Sequence, residues 1–91
     1  MKINRVNPPL RIFLGNHYPG VYLTRRESEY AFYSLQGKKR REIALNLQIS
    51  IRTLDSYINS IKIKLGCTRA RDIIGLIKKT DFIEKAENAL T

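Results

Sequence analysis

Tryptophan is absent, and cysteine, histidine and methionine each occur once in the 91 residues. A lone Cys67 allows neither an internal disulfide nor a multi-thiolate metal site; it reads as a small core residue. His17 has no companion ligands, so nothing supports a zinc centre. There is no glycine-rich phosphate loop and no cluster of carboxylates, so the chain lacks the groups an enzyme needs. Apolar runs are also short. None exceeds four residues, which leaves nothing able to span a membrane. The start, Met1-Lys2-Ile3-Asn4-Arg5, lacks the apolar stretch of a signal peptide, so a reducing, cytoplasmic setting is expected. Proline stops at Pro19, which leaves the remainder free to form helices.

Acidic residues are scarce as well: eight Asp plus Glu stand against 17 Lys plus Arg, a net charge of +9. That balance suits a polyanion, with nucleic acid first and an anionic membrane surface second. The surplus runs through the body of the chain, because residues 1–23, 37–48 and 67–79 each carry +3, whereas the tail over residues 80–91 carries −2. At this length one domain with a compact core is expected, without room for a deep substrate pocket.

Residues 1–22 form an arm in which Pro8-Pro9, Gly15-Asn16 and Pro19-Gly20 punctuate short apolar pieces. It reads as irregular, with turns and extended chain. Thr24-Arg25-Arg26-Glu27 then fits a capping box, so a helix is predicted from Arg25 to about Gln36, closed by Gly37. A short helix from Arg40 to Leu47 points Ile43, Ala44 and Leu47 inward. After a tight turn at Gln48-Ile49, Ser50 caps a third helix from Ile51 to about Leu65, ended by Gly66. Thr68 can cap a fourth from Arg69 to about Lys79, with Ala70, Ile73, Ile74 and Ile77 on one stripe. Asp81 and Glu84 allow one more short helical turn in a tail over residues 80–91. No period-two pattern persists, so the expected class is all-α.

On a helical wheel at 100° per residue, Leu54, Ile58, Ile61 and Leu65 of the third helix fall within a sector of about 60°. Opposite them lie Arg52, Asp55, Ser56, Asn59, Lys62 and Ile63. A small Ala44 at a steep helix crossing, an apolar Ile49 in the turn and apolar positions at Leu54 and Tyr57 satisfy a helix-turn-helix. Its second helix is free to enter a major groove about 12 Å wide. The run Lys38-Lys39-Arg40-Arg41 opposes the dipole of the helix it precedes, a cost that phosphates at that helix start would reverse.

Leu23-Thr24-x-Arg26-Glu27, Gly37, Glu42-Ile43-Ala44-x-x-Leu47-x-Ile49-Ser50-x-x-Thr53-Leu54, Ile61 and Lys64-Leu65-Gly66 together resemble the LuxR-type helix-turn-helix domain. That domain closes NarL/FixJ response regulators and autoinducer-dependent activators and stands alone in GerE-like proteins. The resemblance covers Leu23 to Ile77, and sets the domain at residues 23–79. It implies a four-helix LuxR/GerE-like fold that binds double-stranded DNA as a homodimer. Arg52, Asp55, Ser56 and Asn59 would then read bases, while Lys38, Lys39, Arg40, Arg41, Thr53 and Lys62 would hold phosphates. Arg69, Ile73, Gly75 and Leu76 would form the dimer contact.

The chain departs from the pattern in four places. Lys39 replaces a capping Ser or Thr, so the second helix should fray at its start. Asp55 stands where many members carry Lys. Tyr57 replaces His and is expected to pack on the second helix. Ala31 and Ser34 are smaller than the usual Leu, which leaves a gap for Phe32, Tyr33 or the arm, through Ile12-Phe13-Leu14, to fill. Neither a receiver nor a ligand-sensing domain is recognisable, so DNA binding that is constitutive or gated by dimerisation is expected. Two other readings compete. One is an interaction module or anti-activator that engages a regulator or RNA polymerase through the helix at 69–79. The other is a promoter-reading sigma-factor domain, against which the Lys64-Leu65-Gly66 ending and the fourth helix argue.

Overall fold

A computed structural model of the chain describes residues 9–90. The first eight residues of the expected arm therefore lie outside the described residues. The rest of the arm is more ordered than expected. Strand β1 (Arg11–Phe13) pairs antiparallel with β2 (Tyr22–Thr24), in the register Arg11 to Thr24, Ile12 to Leu23 and Phe13 to Tyr22. Successive strand side chains alternate faces, so Ile12 and Leu23 enter the core while Arg11 and Phe13 stay outside. A single 3-10 turn, Gly15–His17, bridges the strands. The Leu14 N–H closes the loop on the Val21 carbonyl at 3.0 Å. Strands of three residues are too short to show a period, which is why the arm reads as irregular.

Beyond the hairpin the chain is helical: α1 (Arg25–Leu35), α2 (Arg40–Leu47), α3 (Ile51–Leu65), α4 (Ala70–Ile77) and α5 (Phe82–Leu90). The expected capping box starts α1. The Glu27 N–H donates to Thr24 Oγ1 at 3.4 Å, and the Thr24 N–H donates to Glu27 Oε1 at 2.9 Å. At α2 half a box survives the loss of the cap. The Lys39 ammonium has no lone pair to offer, but the Lys39 backbone N–H donates to Glu42 Oε1 at 2.9 Å. Ser50 Oγ accepts from the Thr53 N–H at 3.0 Å and so starts α3. Arg69, not Thr68, occupies the position before α4, and its side chain makes no cap.

The turn joining α2 to α3 places Gln48 in the left-handed region at φ 58°, with the Ile49 N–H bonded to the Ala44 carbonyl at 3.0 Å. That geometry swings the chain sharply without a glycine. Leu54, Ile58, Ile61 and Leu65 of α3 are all buried, as the wheel predicts, beside Ile43, Ala44 and Leu47 of α2.

The chain's end is a fifth helix rather than one turn. Phe82 and Ala86, four residues apart, are fully buried and anchor α5 against α1 and β1. Lys85 Nζ donates to the Phe13 carbonyl at 2.9 Å. Of the expected filler, Ile12 and Leu14 enter the core, whereas Phe13 faces outward and packs tilted against Tyr22, with ring centroids 5.2 Å apart and ring planes at 55°. Hairpin and α5 both pack on α1, whose Ser28 donates to the Leu23 carbonyl and whose Ala31 is fully buried, while Ser34 lies on the groove toward α3 and α4.

Candidate nucleic-acid interface

α3 lies across α1, α2 and α4 and turns one face to solvent. Arg52, Ser56, Asn59 and Ile63 lie fully on that face, with Ile63 81 % exposed. Asp55 and Lys62 border it on the side of α2 and α4. Thr53, Tyr57, Ser60 and Lys64 border it on the other side, near the hairpin and the start of α1.

The α2 border holds the most informative contact. Arg40 Nη1 of α2 donates to Asp55 Oδ1 of α3 at 2.7 Å, with both side chains about half exposed. A residue expected on phosphate and a residue expected on a base edge therefore hold each other. Sequence reading misses this pair, because fifteen positions separate the two and only the helix crossing joins them. The same groove, about 540 Å³, is lined by Asn59, Lys62 and Arg71. Arg71 is a third cation here, contributed by α4 and not singled out by any motif. Lys39, Arg40 and Arg41 are all exposed at the start of α2, while Lys38 is half-buried.

The opposite border is locked. Lys64 Nζ donates to Glu27 Oε1 at 2.7 Å and to the Tyr22 carbonyl at 2.8 Å, and lies 4.8 Å from the Tyr22 ring centre. Burial pushes the Glu27 carboxyl up. Hydrogen bonds from Lys64, the Thr24 N–H and Ser60 outweigh that, and its pKa is lowered. Lys64 therefore acts on the fold, not on a ligand. Thr53 is likewise engaged, since its Oγ1 accepts from the Ser50 hydroxyl at 3.0 Å. Tyr57 lines a groove with Tyr22 and the first residues of α1, a setting that the expected packing against α2 does not anticipate.

The expected dimer residues separate. Ile73 is fully buried and belongs to the core, because the apolar stripe of α4 that it shares with Ile77 faces inward. That corrects its assignment to an interface. Arg69 and Gly75 are exposed and Leu76 is half-buried; a β-carbon on Gly75 would meet nothing within 4 Å. Gly75 and Leu76 line an open groove with Cys67 and Lys79. Among the described residues, no helix is long and apolar enough to cross a membrane.

A capped helix crossing its predecessor through a tight turn, with an apolar stripe inside and a polar face outside, defines a helix-turn-helix domain. The chain belongs to the luxR family of bacterial regulatory proteins, which matches residues 21–77, and is a DNA-binding domain of transcription regulation. It is 36 % identical over 64 residues to the transcriptional activator protein EsaR of Pantoea stewartii subsp. stewartii. The match covers 70 % of the chain but only 26 % of that relative, so the chain spans about a quarter of the relative's length. No solved structure matches the chain. Both β1 and α5 lie outside the family stretch.

Proposed function

We propose that this domain binds specific double-stranded DNA sites in the cytoplasm as a homodimer, with α3 in the major groove. One observation carries the reading: the exposed polar face of α3 stands beside the exposed cations that open α2. Arg52, Ser56 and Asn59 face outward to meet base edges, and Asp55 joins them where Arg40 releases or shares its carboxylate. Lys38, Lys39, Arg40, Arg41 and Lys62 supply the phosphate contacts, which set affinity more than sequence choice. The dimer contact falls to Arg69, Gly75 and Leu76.

Fluorescence titration of a random-sequence duplex across a salt series tests this. Two protomers, each neutralising about four phosphates, give a log–log slope of about −7. Selection of bound sites from a random oligonucleotide pool should then return a two-fold symmetric sequence. Absence of measurable affinity at low salt overturns the reading. It would favour a second one, an interaction module contacting a regulator or RNA polymerase, for which the open groove beside Gly75 is the supporting observation.

A further inference from the structure

We infer that the groove between the N-terminal hairpin and α3 is a second seat for the DNA backbone, on the flank of α3 opposite the Lys38–Arg41 run. The inference rests on the proposed placement of α3 in the major groove. Arg11, Tyr22, Arg25, Arg26 and Tyr57 line this groove of about 640 Å³.

Three features fit it to a phosphate chain. The first is charge. Arg25 and Arg26 share a single carboxylate, Glu29, at 3.9 and 3.1 Å, and their side chains remain 57 % and 41 % exposed. No ion pair among the described residues involves Arg11. Of the three guanidinium groups two share one carboxylate and the third has no ion pair among the described residues, so the surplus charge is open to solvent. The second is order. The Arg11 guanidinium lies 5.0 Å from the Tyr22 ring centre, which holds it over the groove at a smaller entropic cost than a free arginine would meet. The third is position. Tyr57 belongs both to this groove and to α3, so the surface is continuous with the face proposed to enter the major groove.

A helix seated in a major groove has one phosphate strand on each side. Lys38–Arg41 serve one side. Arg11 and the two arginines of α1 serve the other, and this lengthens the footprint without adding base contacts. Arg11 and β1 lie outside the stretch matched by the family, so this flank draws one of its three arginines from an element that the family match does not include.

The test uses the full chain and a short random-sequence duplex, with binding measured by anisotropy across a salt series. The variant Arg11→Gln/Arg25→Gln/Arg26→Gln is compared with Lys39→Gln/Arg41→Gln, and circular dichroism checks the fold of each. The hairpin-flank variant is expected to weaken binding roughly 10–100-fold and to flatten the slope by about 0.9 for each phosphate no longer neutralised. If the triple variant loses helical signal, Arg11→Gln alone decides, and each protomer is then expected to neutralise one phosphate fewer. Unchanged affinity and slope in the hairpin variant, with a flattened slope in Lys39→Gln/Arg41→Gln, overturns the inference and leaves the proposed function standing. Unchanged binding in both variants overturns the inference together with the phosphate role proposed for the Lys38–Arg41 run.

Discussion

Two ion pairs of the same length flank α3, and they differ in their access to water. Arg40–Asp55 and Lys64–Glu27 both close at 2.7 Å. Asp55 and Arg40 keep about half of their side-chain surface in water, whereas the Glu27 side chain is only 5 % exposed. Water screens the first pair and replaces either partner at little cost, so a ligand can rearrange it. The second is shielded, and water cannot take the place of its cation. Distance alone therefore does not tell a structural contact from a functional one. Solvent access does.

The largest effect should come from breaking the shielded pair. Lys64→Met leaves the Glu27 carboxylate buried without its cation and should destabilise the domain by about 3 kcal/mol, read from urea unfolding. A change below about 1 kcal/mol would place this pair in the same class as the exposed one. Next comes acid. The folded pKa of Glu27 lies below its ordinary value, so its contribution is complete above that ordinary value and is lost as pH falls through the folded one. Unfolding midpoints of the parent protein should thus drop on acidification below the ordinary carboxylate range, and the gap to Lys64→Met should narrow. A constant gap would mean that another group supports Lys64.

On the exposed side, Asp55→Ala should raise affinity for random duplex DNA, since a repulsive carboxylate is removed. If the Asp55 carboxylate accepts from a cytosine amino group, the variant should also lose about 1–3 kcal/mol of discrimination at one base pair. Equal gains on specific and random DNA would reduce Asp55 to a partner of Arg40. The smallest effect concerns stability: a double-mutant cycle of Arg40→Ala and Asp55→Ala should give a coupling below about 1 kcal/mol. A larger value would make the exposed pair part of the framework too.

Much of the architecture is legible in the sequence because it is local. The Thr24–Glu27 box, the Ser50 cap, the Gly66 stop and the four-residue stripe of α3 each rest on contacts within a turn or two, where spacing translates directly into geometry. The crossing of α2 and α3 is likewise read from the short turn and the small Ala44. What escapes is non-local. Glu27 and Lys64 stand 37 positions apart, and nothing in either neighbourhood announces the other. Strands β1 and β2 owe their existence to pairing across a loop, not to their own pattern. Ile73 sits on the predicted inner stripe of its helix, yet the resemblance assigns it to an interface. Its burial decides between the two, because a side chain with no exposed surface cannot meet a partner.

The bond from Lys85 to the Phe13 carbonyl joins positions 72 apart in the chain. With Phe82 and Ala86 seated beside the hairpin, it makes the two ends of the described chain depend on each other. Helix α3 sits in the middle of that closure. Contacts of such long sequence separation form late in folding, after the loop entropy between them has been met. The domain should accordingly unfold in one transition, and cutting it back to the family stretch should uncover the core at both ends at once. On that expectation the cooperative unit is larger than the stretch the family shares.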